Sequence, residues 1–435
     1  MSTTVAEHRV TSRPVALPAS LWSLFVLWVV YIFSFVDRTV LSIVVGPVKQ
    51  ELGFSDTDMG FLMGPAFALC YTLAGIPVAR WADVGSRRTI VAMGLTVWSG
   101  MTVLSGAARS AALFTASRVG VGVGEAASVA PAHSMISDLF SSRYRGIALG
   151  FFQTGATLGI FFGAMVAGYV SQHHGWRWAF YAVGLPGVAW AVVARFAIRE
   201  PVRGASDGLR DDGQQAPLRE VVGELLARRS FRYMVLAAAV MATAGYGVVK
   251  WLPSLLIRSY GLTPAEVGPR FGLVAGVCGA FGIFLGGVLN DALKGMDARW
   301  TTWLPMLGAL LKVPLLAVAL LVVEGVDLAL GWFALAWIAG TLYVSPVFTL
   351  GQTVAPLRAR AMASAVVVFT TSLVGASCGP LLTGWLSDLF AAEHGDESVR
   401  YALMCVGSLP VLAVLFAALA SRHVRHDIRG ASSAG

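Results

Sequence analysis

The chain has 435 residues, 56% of them hydrophobic and 13% charged, with a mean hydropathy of +0.71, whereas a soluble domain carries roughly 25% charged residues. So few polar side chains cannot cover a water-facing surface, which excludes a soluble enzyme or soluble binding module. The net charge of +8 sits in short segments between apolar runs, a distribution that marks membrane sidedness rather than a nucleic-acid surface.

A helix needs about 20 mostly apolar residues to cross a bilayer. Such runs occur in order at 21–46, 58–80, 89–108, 111–137, 146–170, 177–198, 231–257, 265–290, 300–323, 328–350, 361–386 and 399–421. None shows the alternation of barrel strands. Residues 1–20 are polar, and the run from Leu21 is too long for a signal peptide and lacks an A-x-A exit, so it is expected to remain as the first span. A cytoplasmic N-terminus places most of the 32 Lys and Arg on inner loops and tails, which predicts both termini inside and an even number of spans in an inner (plasma) membrane. The long polar stretch 199–230 divides the chain into 1–198 and 231–435. Within it Leu218, Val221, Val222, Leu225 and Leu226 alternate at helical spacing with Arg219, Glu220, Glu224, Arg228 and Arg229, predicting an amphipathic cytoplasmic linker helix. Ala79 to Asp83 ends the second run and Gly287 to Asp291 the eighth, each with a small residue four before an Asp and basic residues after it. Such an echo is the signature of a transporter built from repeats. The predicted fold is an all-α polytopic membrane protein, with twelve transmembrane helices in two pseudo-symmetric six-helix bundles.

Charges inside the bilayer are the first functional candidates, because each costs roughly 2.5–3.5 kcal/mol at the centre of a span unless it meets water or a partner. Arg118 and Glu125 lie seven residues apart, two turns along one face of span four. Asp37 and Arg38, in span one, point about 100° apart; Asp37 is expected to face the cavity and meet Arg118. Desolvation and a neighbouring Arg pull such an acid in opposite directions, which suits proton coupling by Asp37 with Glu125 as partner. Arg118, Arg38 and Lys250 are candidate contacts for an anionic group, and Tyr31, Phe35, Tyr246, Trp251 and Tyr343 for an apolar tail or ring. Lys250 precedes Trp251 and Pro253, where a proline frees a carbonyl. Lys312 has no role in this scheme. No second ligand stands at metal spacing from His133, the four cysteines lie in apolar runs, and Gly120, Gly122 and Gly124 lie inside an apolar helix with no strand before them. No metal or cofactor is expected. There is no P-loop or nucleophile elbow, so the chain is not read as an enzyme.

The loop after span two, with Asp83, Arg87 and Arg88, resembles the G-x-x-x-D-R-x-G-R-R pattern of the major facilitator superfamily. Ala79 replaces the first Gly, Val84 the first Arg and Ser86 the second Gly. Further patches are Phe33 to Val40, Arg118 to Ala126, Ala130-Pro131, Ile136 to Phe140, Trp176 to Phe180 and Leu373 to Asp388. Together they resemble the spinster-type lysolipid and sphingolipid transporters and their bacterial relatives, with Phe35-Val36 departing from an aromatic-Met pair. The resemblance implies gating by Asp83, Arg87, Arg88, Asp291, Asp138 and Arg143. It also implies that Gly155, Gly159 and Gly163 of span five, and Gly375 and Gly379 of span eleven, lie between the halves. The implied function is proton-coupled secondary transport of an amphipathic, lysolipid- or sphingoid-like substrate by alternating access. A small organic anion symporter is the alternative, with a drug/proton antiporter or a non-transporting receptor behind it. The implied partners are membrane lipids, protons and the amphipathic or anionic substrate, with no nucleic acid; a monomer is expected.

Overall fold

A computed structural model describes residues 17–202, 218–355 and 360–432, with backbone alone at 142–143, 218–221, 360–361 and 430–432. Among the described residues the chain is helical and contains no strand. Twelve crossings follow in order. Span 1 is Leu17–Ile43, span 2 Asp56–Val84, span 3 Arg87–Ala107, span 5 Ser142–His174 and span 6 Trp176–Ala197. Span 7 is Arg229–Arg258, span 8 Pro264–Lys294, span 9 Trp300–Val322 and span 10 Val326–Val354. Span 4 is broken into Ala111–Glu125 and Val129–Leu139, and span 11 runs in three pieces from Arg360 to His394. Span 12 joins Ser398–Ser408 to Pro410–Ser432.

The sequence predicted span 4 as one run. Pro131 explains the break: it lacks an N–H, is tolerated in the first turn of a helix, and stands in the first turn of the second piece. Three π-helical segments were also unforeseen, at Leu273–Cys278, Val318–Val322 and Thr371–Gly375. Thr371–Gly375 runs up to the turn before Pro380, whose missing N–H leaves a carbonyl there without its usual partner, while Leu273–Cys278 and Val318–Val322 each begin four residues after a proline, Pro269 or Pro314.

Span 1 packs on spans 5 and 6, and span 3 on spans 4 and 6; span 7 packs on spans 11 and 12, and span 9 on spans 10 and 12. The amino- and carboxy-terminal six meet where span 2 crosses span 11, span 5 crosses span 8, and span 1 touches span 7. The ends of the molecule are called here the linker end, nearest residues 199–230, and the distal end. The linker helix Leu218–Ala227 docks on the bundle: Leu225 is fully buried in a cluster with Phe231 and Val354, so this helix is a packed element and not only an interfacial one. Leu218, Arg219, Glu220 and Val221 have side chains outside the described residues.

The expected role of the span 5 glycines is corrected by their neighbours. Gly155, Gly159 and Gly163 face Trp28, Ile32, Phe35 and Val36 of span 1, and Gly375 and Gly379 face Ala242 and Thr243 of span 7. Both sets tighten packing within one half. Contact between halves falls further along span 5, where a Cβ on Gly168 would collide with the Pro264 carbonyl, so backbone meets backbone at the distal end.

Candidate functional site

Between the middle of the bundle and its distal end, two ion pairs join span 1 to span 4. Arg118 Nη1 donates to Asp37 Oδ1 at 3.0 Å, and Arg38 Nε donates to Glu125 Oε2 at 2.6 Å. The adjacency of Asp37 and Arg38 and the two-turn spacing of Arg118 and Glu125 make this ladder possible. Thr102 Oγ1 of span 3 donates to the second Asp37 oxygen, and Ser34 Oγ, one turn before Arg38, donates to Glu125 Oε2 at 2.7 Å. Glu125 Oε1 is buried without a hydrogen-bond partner among the described residues.

The ladder overturns the expected orientation. Asp37 is sealed at 1% side-chain exposure beside Arg118 at 5%, while Arg38 keeps 23%. Thus Arg38, and neither Asp37 nor Arg118, presents its charge to the space between the halves. Its guanidinium carbon lies 5.0 Å from the ring centroid of Phe35, 4.6 Å from Phe67 and 5.3 Å from Tyr71, close enough for cation–π attraction. Opposite, Lys250 Nζ of span 7 donates to the Arg38 carbonyl at 2.6 Å, linking the halves. Tyr246, one turn before Lys250, is 38% exposed, and Tyr343 is half-buried against a cluster containing Met241 and Ala309.

Two expected aromatic contacts are elsewhere. Trp251 is fully buried and donates from Nε1 to the Pro380 carbonyl at 2.9 Å, because it points into the carboxy-terminal bundle and not the cavity. Tyr31 is largely buried, stacked on Phe152 at 4.4 Å between centroids, while Phe35 stays half-buried beneath Arg38. The sequence reading missed Ser34, Phe67, Tyr71 and Thr102. Phe67 and Tyr71 are four apart on one face of span 2, and Ser99, Thr102 and Ser105 are buried at three-residue spacing on span 3; both stripes were legible signals.

A second cluster closes the distal end between halves. Asp56, at the start of span 2, receives Arg258 of span 7 through two bonds of 2.7 Å, Lys49 at 2.7 Å, and Ser387 of span 11 at 2.7 Å. Asp388 accepts from the N–H groups of Asp56 and Thr57 at 3.0 and 2.7 Å, placing a carboxylate on the helix start. At the linker end, Asp83 is exposed and has no ion pair among the described residues, and Asp291 pairs with Lys294 of its own helix. Among the described residues, ion pairing between the halves closes the distal end, and no ion pair joins them at the linker end.

The Major Facilitator Superfamily model matches residues 27–380. The chain belongs to the Major Facilitator Superfamily. It is a multi-pass membrane transporter. An MFS-type efflux pump of Mycolicibacterium smegmatis is 32% identical over 409 residues, covering 93% of each chain. A probable galactarate/D-glucarate transporter of Bacillus subtilis is 26% identical, over 66% of this chain and 68% of its own. Among solved structures, a bacterial homolog of the human lysosomal transporter spinster, inward-facing and unoccupied, superposes with a TM-score of 0.88 at 29% identity, covering 95% of this chain and 99% of its own. The spinster-type resemblance is therefore upheld.

The loop that carries the superfamily pattern is tied down within the amino-terminal six spans. Arg87 is buried and pairs with Asp138 and with Glu200 Oε1 at 3.0 Å, and it also donates to the Pro201 carbonyl at 2.7 Å. The Glu200 carboxylate further accepts from the Arg88 N–H at 2.8 Å and from Ser86 Oγ at 2.8 Å. The Arg143 side chain lies outside the described residues. Glu200 was missed because a charge just beyond a span reads as ordinary sidedness. Burial works against its ionised form, but the N–H of Arg88, the Arg87 guanidinium and Ser86 outweigh burial and hold it below the usual carboxylate range. A lowered acid stabilises the fold above its unfolded value, and that contribution is lost as pH falls through the lower folded value. Arg87→Met, which takes the buried guanidinium away from the Asp138 and Glu200 carboxylates, is expected to cost about 3 kcal/mol or more at neutral pH. The deficit, read by denaturant unfolding in detergent, should shrink under acid; a deficit below 1 kcal/mol, on the scale of about that for exposed pairs, refutes the clamp.

Proposed function

We propose that this protein is a proton-coupled secondary transporter of the inner membrane, carrying an amphipathic, at least partly anionic substrate of lysolipid or sphingoid type by alternating access. The linker end, with both termini, faces the cytoplasm, and residues 1–198 and 231–435 rock as two units about the linker at 199–230. The observation that carries the reading is Arg38: the partly exposed cation at the meeting of spans 1, 2, 4 and 7, walled by Phe35, Phe67 and Tyr71 and faced by Lys250. Three basic groups, Arg38, Arg118 and Lys250, stand against two carboxylates, Asp37 and Glu125. The surplus favours an anion, and the aromatic wall favours an apolar portion.

Proton coupling falls first to Glu125 and second to Asp37, reversing the order expected from sequence. Both Asp37 oxygens are engaged, whereas Glu125 leaves Oε1 unpartnered. Protonated Glu125 loosens its hold on Arg38, which then takes the substrate anion; deprotonation recaptures Arg38 and expels it. In this cycle Asp83, Arg87, Arg88, Asp138, Arg143 and Asp291 form the inner closure. A second reading, a small carboxylate as substrate, is favoured by the Bacillus subtilis relative, whose name specifies sugar diacids.

Proteoliposomes separate these readings. Lysophospholipid flux is expected to respond to an imposed pH gradient, and Arg38→Gln with Lys250→Gln should weaken lysophospholipid binding by roughly tenfold or more, on the scale of one charge-assisted bond. Flux of galactarate without lysolipid flux would establish the second reading. Unchanged affinity in the folded double variant would remove Arg38 and Lys250 from the site.

A further inference from the structure

Lys312 lies in the middle of span 9, within the carboxy-terminal bundle and apart from the ladder described above. It is 2% exposed. No hydrogen bond or ion pair ends on its ammonium among the described residues, and none of them supplies a counter-charge. Its side chain lines a small pocket with Val248, Val249 and Leu252 of span 7, Val274 and Ala275 of span 8, and Trp337 of span 10, among others. The pocket has room for about one water-sized particle.

The pocket is shaped around the lysine. Gly340 of span 10 faces the stem of Lys312, and a Cβ there would lie 2.8 Å from Lys312 Cδ. Any side chain at position 340 would push the amine from its place. The span 8 wall, at Val274 and Ala275, belongs to the π-helical segment Leu273–Cys278, a backbone irregularity that often accompanies binding sites.

We propose that Lys312 holds a small monovalent anion of halide type inside the carboxy-terminal bundle. An amine with its hydrogens unpaired in an apolar pocket needs an acceptor. The polar side chains of the lining are donors only: Lys312, and the Trp337 indole N–H, which is spent on the Ala275 carbonyl at 3.3 Å. Water would satisfy the amine but leave its own hydrogens without side-chain acceptors. A halide accepts from the amine, has no hydrogens to place and balances the ammonium charge. By packing spans 7, 8, 9 and 10 around one neutral pair, it stiffens the bundle that swings against the amino-terminal six.

The probes are chloride and bromide against gluconate at equal ionic strength and fixed pH, with the full chain in detergent. The wild type is expected to show a saturating rise in Tm with either halide and none with gluconate. Lys312→Met, similar in length and apolar, should fold and lose that rise, and Gly340→Ala should weaken it. Lys250→Gln should keep it, which separates this pocket from the central cavity. Bromide-soaked crystals give an independent reading, with an anomalous peak expected beside Lys312 Nζ. A wild-type Tm indifferent to halide, an equal halide effect in Lys312→Met, or bromide-soaked crystals without the peak would overturn the proposal.

Discussion

Glu125→Gln is expected to abolish accumulation driven by a pH gradient while preserving exchange of substrate across the membrane. Glu125 is fully buried, its Oε2 accepts from Ser34 and Arg38, and its Oε1 has no partner among the described residues. An ionised carboxylate asks for about four hydrogen bonds, so half of this one is unsupported. It also ends the first piece of span 4, where helix carbonyls repel negative charge. Both facts favour a proton on Glu125 whenever the cavity can deliver one. Glutamine keeps the shape and a neutral carbonyl for Arg38 but cannot cycle. In the wild type, substrate affinity should rise as pH falls, because the proton frees Arg38; in Glu125→Gln affinity should be high and nearly independent of pH. Counterflow should persist. Asp37→Asn is expected to act in the same direction but less completely, since Arg118 and Thr102 continue to hold that position. If Glu125→Gln still concentrates substrate with the pH gradient as sole driving force, while Asp37→Asn does not, the coupling proton belongs to Asp37.

Asp56→Ala should spring the distal end open. This single carboxylate collects Arg258, Lys49 and Ser387 and is 2% exposed. Removing one partner from a buried charge network costs about 3 kcal/mol or more. Because Arg258 and Ser387 stand across the boundary between halves, that cost falls on the distally closed state alone. A loss of about 3 kcal/mol shifts a two-state population by roughly two decades. Spin labels near the distal ends of spans 2 and 11 would report it as growth of a long-distance peak in Asp56→Ala. Asp58→Ala is the control, since Asp58 is exposed and caps its own helix with Ser55. A distance distribution unaltered by Asp56→Ala would show that the glycine contacts, and not the ion cluster, keep this end shut.

The helices were legible because a membrane span must be apolar for its whole length, so hydropathy marks each one. The same fact hid their orientation. A helix apolar all around shows no periodic face, and nothing in Phe35-Val36-Asp37-Arg38 says which charge looks inward. Packing decided it: Gly159 admits Phe35 closely, and Thr102 captures Asp37, leaving Arg38 to the cavity. Charges within spans, such as Glu125 and Arg118, stood out against their surroundings. Asp56, Glu200 and Asp388 did not, since a carboxylate at a span end is ordinary there. Their roles come from partners more than a hundred residues away, which no local pattern encodes. Trp251 was misplaced for the same reason, as an aromatic near a candidate lysine can point to either side of its helix.

The bond from Lys250 to the Arg38 carbonyl also places a fulcrum. It joins the two halves at the depth of the ion-pair ladder, far from the clamp at Asp56. Span 7 has 30 residues and, at 1.5 Å per residue, is about 45 Å long. A turn of about 10° around Lys250 therefore carries the near, distal tip at Arg258 through roughly 2 Å and the far tip at Arg229 through roughly 5 Å, while atoms at the fulcrum hardly move. A molecule held by Arg38 would stay almost still in space as the water in contact with it changed from one compartment to the other. In such a machine the barrier travels past the cargo.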